Sequence, residues 1–268
     1  MPVPAELRRS SILERIRGSG GASVAELATE HGVSAITVYR DLERLAEEGL
    51  VERVRGGARA LAGDGPTIET DWTARLRQAR AAKDAIAAFA TRWVEDGSTI
   101  FVDSSTTSLA LARRLERTPP MALTLVTNSP AIAFDLHAES VHVIVTPGEV
   151  DQNLRMIGGR WAVEFLAELN FDIAFISSAG LSLDKGLTTS RRELADTLNA
   201  ARAVSARTVG LIDSSKFGRS SLLSIVPAEE LDAIVVNDGL SEEIFAEYSR
   251  AGVPLVRANG TATTTTST

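Results

Sequence analysis

The stretch Gly32-Val33-Ser34-Ala35-Ile36-Thr37-Val38-Tyr39-Arg40-Asp41-Leu42-Glu43-Arg44-Leu45 constrains this chain more than any other. Val38, Leu42 and Leu45 recur at i, i+4 and i+7, so one helical face is apolar and calls for burial. At about 100° per residue, Ile36 and Arg40 point away from that face, with Thr37 and Tyr39 on its flanks. Ser34 predicts the N-cap and Gly32-Val33 the turn before it. Upstream, Ser23-Val24-Ala25-Glu26 is a capping box opening a short helix with Val24, Leu27 and Ala28 on its inner face. Two short helices joined by a glycine turn form the helix-turn-helix arrangement, although capped two-helix corners also occur in all-α folds. In the first reading Arg40 bonds phosphate or guanine, Ser34 and Thr37 bond phosphate or base edges, and Ile36 or Tyr39 meets a thymine methyl or the backbone.

The next segment favours DNA. Leu50-Val51-Glu52-Arg53-Val54 alternates as a strand, Gly56-Gly57 signals a hairpin, and Ala58-Arg59-Ala60-Leu61 returns. Placed after a recognition helix, such a hairpin with Arg53, Arg55 and Arg59 reads as a wing on the phosphate backbone; the plainer reading is a solvated surface hairpin. The candidate DNA contacts are Ser34, Ile36, Thr37, Tyr39, Arg40, Arg44 and Arg55. Residues 1–60 hold nine arginines and nine acidic residues, so the whole net charge of −7 lies beyond them. A neutral segment is weaker evidence for DNA than a basic one. Distribution matters more than the sum: Arg40 lies nearer the N-terminal end of its helix, while Glu43 and Glu47 lie toward the end that leaves the groove. The acidic remainder is not expected to bind DNA.

Composition removes other classes. The chain has no cysteine, which excludes disulfides and thiolate metal sites. His31, His137 and His142 lack metal-ligand spacing and read as structural or surface residues. No run of about eighteen apolar residues occurs, so a soluble cytoplasmic protein without a membrane segment or cofactor is expected. Ala62-Gly63-Asp64-Gly65-Pro66 reads as a linker. The expected divisions are a DNA-binding domain at 1–61, a linker at 62–71, a sensor domain at 72–258 and a disordered threonine-rich tail at 259–268.

From Trp72 to about Val94 the pattern predicts a helix with a break near Arg80, its apolar face formed by Ile86, Phe89, Ala90 and Trp93. Strands are then expected at 99–102, 123–126, 141–145, 172–176, 208–212, 233–236 and 254–256, with a helix following 103–107 through Leu115 and a second opening at 127–130. That alternation predicts a mainly parallel α/β sheet with helices on both faces and ligands at the carboxyl ends of its strands. Three of those ends carry anion-site chemistry. Ser104, Ser105, Thr106 and Thr107 place hydroxyls and open N–H groups at a helix start. Thr127-Asn128-Ser129 repeats the idea, and Asp213-Ser214-Ser215-Lys216 adds a full positive charge. Each loop alone is equally an ordinary cap or turn; three at one sheet edge favour a phosphate-bearing small molecule.

The winged helix-turn-helix, Arg55-Gly56-Gly57-Ala58, Asp103-Ser104-Ser105-Thr106-Thr107, Val126-Thr127-Asn128-Ser129, Gly186-Leu187-Thr188 and Asp213-Ser214-Ser215-Lys216-Phe217-Gly218 occur in an order that resembles the DeoR-type bacterial transcription regulators, over roughly residues 5 to 240. The resemblance implies an operator-binding domain and a sensor domain similar in fold to ribose-5-phosphate isomerase and glucosamine-6-phosphate deaminase. It also implies repression of sugar-utilisation genes, relieved by a phosphorylated sugar, in a homo-oligomer of at least two chains. Asp103, Ser104, Ser105, Thr106, Thr107, Thr127, Asn128, Ser129 and Lys216 become the candidate effector residues. Departures from the pattern are Tyr39 beside Arg40 in place of paired arginines, Ser105 where a glycine is usual, Thr146-Pro147-Gly148 instead of a glycine pair, and Ser177-Ser178-Ala179-Gly180 without an acid. The last bears on the alternative, an isomerase-like enzyme with an appended helix-turn-helix, because moving a proton between sugar carbons needs a positioned base.

Overall fold

Caps and one buried ion pair explain the N-terminal part of the chain. Helix α1 spans Ala5–Ser19, strand β1 Gly21–Ser23, α2 Val24–His31 and α3 Ala35–Glu47. A computed structural model describes residues 5–19, 21–54, 56–60, 72–117 and 122–259. By contacts the chain divides into two units, Met1–Ile68 and Glu69–Thr268. The expected linker at 62–71, residues 260–268 of the expected tail, and Arg55 lie outside the described residues.

In the first unit Ser23 caps α2 through a capping box with Glu26, and the α2 helix ends on Gly32 at φ 62°. Ser34 caps α3, accepting from the Thr37 amide at 3.2 Å. Val38, Leu42 and Leu45 are buried against Ile12 and Ile16 of α1, Leu27 of α2 and Val51 of the wing. The wing is the hairpin β2 (Val51–Val54) and β3 (Gly57–Ala60), in a sheet of order β1-β3-β2. A Cβ on Gly57 would lie 2.3 Å from the Ala22 carbonyl, so only glycine lets β3 approach β1 this closely. Asp41 sits on the inner side of α3, where an acid needs a partner. Arg8 supplies it: Nε donates to Oδ2 at 2.6 Å and Nη2 to Oδ1 at 3.3 Å. Arg9 stands at 3.8 Å.

The second unit begins with α4 (Trp72–Arg77) and α5 (Arg80–Ala90), separated by Ala79 in the left-handed region. The expected helix is therefore two, broken close to the expected place, and a 3-10 turn over Thr91–Trp93 closes the second. There follow β4 (Thr99–Val102), α6 (Thr106–Glu116), β5 (Leu123–Thr127), α7 (Pro130–Asp135), β6 (Val141–Val145), β7 (Glu149–Asp151), β8 (Met156–Gly158), α8 (Arg160–Ala167), β9 (Phe171–Ile176), β10 (Gly180–Ser182), β11 (Gly186–Thr189), α9 (Arg192–Ala203), β12 (Ser205–Leu211), β13 (Leu223–Val226), β14 (Ala233–Val236), α10 (Glu242–Arg250) and β15 (Leu255–Arg257). Seven strands pair in parallel in the order β15-β14-β12-β9-β4-β5-β6. The seven expected strands are these seven, with β12 starting three residues earlier and ending one earlier than expected. The expectation did not include β7–β8 or the antiparallel sheet β10-β11-β13, which are built from strands of three or four residues.

Alternation along the strands sorts side chains between the two faces. Ile100 and Val102, Leu123 and Leu125, and Ile173 and Phe175 pack with Ile86, Phe89, Leu109, Leu111 and Ile132 of α5, α6 and α7. Phe101, Val126, Ala174 and Ile176 face the other way, onto Leu166, Leu194, Leu198 and Tyr248 of α8, α9 and α10. Strands buried on both faces read as near-continuous apolar runs, as here. Sequence order runs outward in opposite directions from the β4–β9 pair, so the switch point of the sheet lies beyond the ends of these two strands.

Removing the Asp41 carboxylate takes a two-point charged partner away from the buried Arg8 guanidinium. Asp41→Ala is expected to lower the stability of the first unit by about 3 kcal/mol, read by chemical denaturation of the full chain. An unchanged unfolding curve would show that this ion pair adds nothing to the stability of the fold.

Candidate functional site

The outer edge of α3 carries the candidate DNA contacts. Ile36 is 66% exposed and Tyr39 43%. The Ser34 and Thr37 hydroxyls lie 2.9 Å apart and engage each other at the cap. Arg40 is exposed and pairs with no carboxylate among the described residues. Arg44 differs: its guanidinium lies 3.1 Å from Glu48 and 3.7 Å from Glu47, toward the helix end. The wing reaches α3 through Arg53, whose Nη1 donates to the Tyr39 carbonyl at 3.2 Å.

The second candidate site forms at the switch point. Asp103 ends β4 at 2% exposure. Its Oδ1 accepts from the Ser105 amide at 3.0 Å and the Ser108 hydroxyl at 2.5 Å, and its Oδ2 from the Ser177 amide at 2.7 Å. One carboxylate thus fastens the end of β4, the start of α6 and the loop after β9. Ser105 is the N-cap of α6 and accepts from the Ser108 amide at 3.0 Å. Ser104, Thr106 and Thr107 are buried around that helix start. Lys216, in the 3-10 turn after β12, donates through Nζ to the Ser178 carbonyl. Asp213 caps this turn, accepting from the Ser215 amide at 3.1 Å. The first and third candidate loops therefore meet through Ser177 and Ser178. A small cavity at this junction is lined by Arg75, Asp103, Ser104, Ser105, Ser177 and Ser178.

The middle loop is anchored differently. Thr127 Oγ1 accepts from the Ser129 amide at 3.0 Å, and Ser129 caps α7 by accepting from Ile132 at 3.3 Å. Asn128 Nδ2 donates to the Ile157 carbonyl of β8 at 3.3 Å, and the Ile157 amide returns a bond to the Asn128 carbonyl at 2.7 Å. The Asn128 Oδ1 and the nearby Thr146 hydroxyl are buried without a hydrogen-bond partner among the described residues.

Two residues outside the sequence-based candidates complete the cluster. Trp72 is buried, and its indole N–H donates to the Ser104 carbonyl at 3.2 Å while its amide donates to the Asn153 carbonyl at 3.2 Å. The Arg155 guanidinium lies 4.8 Å from the centre of its ring. Lys83 occupies the inner face of α5, 6% exposed, one turn before Ile86. Its Nζ donates to the Arg75 carbonyl, and to the Gln78 carbonyl at 2.7 Å, closing the C-terminal end of α4 with a positive charge. Burial pushes this ammonium down from 10.5 to about 8; the Asp213 charge opposes the shift, while Lys216 and Arg75 add to it. A lone lysine on an otherwise apolar helix face was the signal for Lys83 in the sequence.

The arrangement offers hydroxyls, a helix N-terminus and two ammonium groups within electrostatic reach of each other, which is chemistry for holding an anion. Of the two buried carboxylates here, Asp103 accepts from three donors, and Asp213, whose charge acts on Lys83, accepts from the Ser215 amide. Among the described residues no group of three or more His, Cys, Asp or Glu side chains could hold a metal ion, and no helix is long and apolar enough to cross a membrane.

A winged helix-turn-helix followed in sequence by a parallel α/β unit describes a DNA-binding transcriptional regulator. The DeoR C terminal sensor domain matches residues 78–238 and the DeoR-like helix-turn-helix domain residues 8–62. The chain belongs to the DeoR family of helix-turn-helix transcriptional regulators. It is 32% identical to the HTH-type transcriptional regulator GlpR of Haloferax volcanii over 95% of this chain and 98% of that protein. It is 29% identical to a putative aga operon transcriptional repressor of Escherichia coli O157:H7 over 93% and 92%. To the glycerol-3-phosphate regulon repressor of Escherichia coli K12 it is 29% identical over 85% and 88%. A ribose 5-phosphate isomerase A from Methanocaldococcus jannaschii overlays with a TM-score of 0.39 and 17% identity over 52% of this chain and 54% of that one, too distant to carry an argument. With relatives of this kind, the chain is a regulator and not an isomerase.

The depressed Lys83 ammonium has a pH signature. Below about pH 8 both folded and unfolded chains hold its proton, and the cost of burying the charge is fully present. Between about 8 and 10.5 the unfolded chain still binds the proton that the folded chain has released, so this group makes stability rise with pH. The rise is on the order of 3 kcal/mol and is expected to disappear in Lys83→Met. Denaturation of both proteins across that window checks it; parallel pH profiles would refute the shift.

Proposed function

We propose that this chain represses genes of carbohydrate or sugar-phosphate metabolism and that a phosphorylated sugar, bound at the strand ends of the second unit, controls its hold on operator DNA. The observation that carries the effector reading is the convergence of Lys216, Lys83 and the hydroxyl-rich start of α6 at the switch point of the sheet. Phosphate is the anion this chemistry favours, because a helix N-terminus and two ammonium groups match its charge and its several acceptor oxygens. The names of two relatives, a glycerol-3-phosphate regulon repressor and an aga operon repressor, point the same way. In this reading Ser105, Thr106, Thr107 and Lys216 contact the phosphate, Asp103 holds the loop that does so, and Asn128 and Ser129 flank the sugar. Arg40 and Ile36 face the major groove, with Ser34 and Thr37 near the backbone. A homo-oligomer presents two such helices, since operators are read as repeated half-sites. The effector shifts DNA binding only through its different affinities for the DNA-bound and DNA-free forms, typically worth about 1–3 kcal/mol.

A thermal-shift panel of glycerol 3-phosphate, pentose phosphates and hexose phosphates against their unphosphorylated counterparts tests the ligand class. A cognate ligand at about 100 times its dissociation constant stabilises the protein by about 2.7 kcal/mol, and a response to the unphosphorylated compounds alone would remove the phosphate from the proposal. Lys216→Ala is expected to abolish the response to the hit while effector-free DNA binding persists; loss of both together would misplace the pocket. Arg40→Ala is expected to cost about 1–3 kcal/mol of specific binding and to relax the sequence preference at one position, measured by competition between selected and scrambled duplexes; an unchanged preference would remove Arg40 from base reading.

A further inference from the structure

The arginines of the first unit divide into two groups by their partners. Of those whose side chains are described, Arg8 and Arg9 face Asp41, Arg15 faces Glu30, and Arg44 faces Glu47 and Glu48. Arg40 and Arg53 pair with no carboxylate among the described residues. Arg53 belongs to β2 of the wing, yet it is held by the recognition helix. Its guanidinium carbon lies 5.2 Å from the centre of the Tyr39 ring, and its Nη1 donates to the Tyr39 carbonyl at 3.2 Å. Tyr39 is 43% exposed and directly precedes Arg40. The packing brings a second uncompensated cation, fixed on an aromatic face, to the outer edge of α3.

We propose that Tyr39 and Arg53 work as one DNA-contacting element, in which Tyr39 holds the Arg53 guanidinium ready for a backbone phosphate at the rim of the groove that α3 enters. A guanidinium has five N–H donors, and the bond to Tyr39 occupies one of them. The cation–π contact with the ring and the bond to the carbonyl restrict the guanidinium and leave its remaining donors for phosphate oxygens. Holding the side chain before DNA arrives reduces the ordering required on binding. A phosphate contact carries no sequence information, but it fixes the register of the helix, so Arg40 meets the same base step in every complex. Tyr39 is then a positioning residue that acts on DNA through Arg53. The proposal rests on α3 being the DNA-reading helix.

The test uses full-length protein and a duplex that it selects from a randomised DNA library, with a scrambled duplex beside it, over a series of salt concentrations. Arg53→Ala is expected to weaken both duplexes about equally, roughly tenfold, and to reduce the slope of log affinity against log salt by about 1, the signature of one lost phosphate contact. Tyr39→Ala is expected to weaken binding in the wild-type background and to add little in the Arg53→Ala background. Tyr39→Phe, which keeps the ring and the carbonyl, retains affinity. Both side chains are exposed, and an unchanged melting midpoint in each variant separates contact loss from misfolding. Independent, additive losses at the two positions, or an unchanged salt slope in Arg53→Ala while Arg40→Ala still weakens the selected duplex, overturn the proposal alone. Undiminished binding in both Arg40→Ala and Arg53→Ala overturns the reading of α3 as well.

Discussion

The arrangement of the strand ends depends on the Asp103 carboxylate. A charge buried at the end of a central strand is tolerable only with its lone pairs satisfied, and the donors come from three separate places: the Ser105 amide, the Ser108 hydroxyl and the Ser177 amide. These bonds hold the loop after β4 to the loop after β9 across the switch point and set the first turn of α6. The same bonds make the carboxylate a fastener between these three segments. Through Ser177 and Ser178 the fastening extends to Lys216, and through the Ser104 carbonyl it extends to Trp72. The 104–107 loop, Trp72 of α4 and Lys216 are therefore parts of one hydrogen-bonded assembly.

What the sequence made legible was local. Ser23 with Glu26, and Ser34 ahead of Val38, Leu42 and Leu45, announce their helices within a few residues, and both caps are present in the structure. The seven parallel strands were visible because apolar runs buried on both faces stand out between polar loops. The three loops share one edge because parallel strands all present the same end to it. The finer organisation of that edge was not legible. The Thr127-Asn128-Ser129 loop has the same hydroxyl-rich composition as the 104–107 loop, but its anchor is Ile157 of β8, a strand of three residues with no periodicity to read.

Long-range pairings were the other gap. Asp41 and Arg8 are 33 residues apart, and Asp103 and Ser177 are 74 apart; nothing local marks either as a pair. Lys83 could have been singled out as a charge on the apolar face of α5, but its partners are main-chain carbonyls at the far side of a helix break. That break is held by Ala79 at a positive φ, a conformation for which alanine gives no warning. Trp72 reads as an ordinary core aromatic until its indole N–H is seen to end on Ser104.

Net charge was a poor guide to the candidate DNA interface for the same reason. An N-terminal segment with equal numbers of arginines and acids looks unsuited to a polyanion, yet pairing decides which charges remain available. Asp41 pairs with Arg8 and lies within reach of Arg9, and Glu47 and Glu48 pair with Arg44 near the end of α3. Arg40 and Arg53 keep their charge uncompensated among the described residues, one on the helix and one delivered to it by the wing. Screening confines the influence of each charge to about a Debye length, near 8–10 Å in physiological salt. DNA approaching α3 would therefore feel those two cations more than the net charge of −7 carried by the chain as a whole. An acidic protein can hold a basic reading edge when its acids are placed where its own arginines need them.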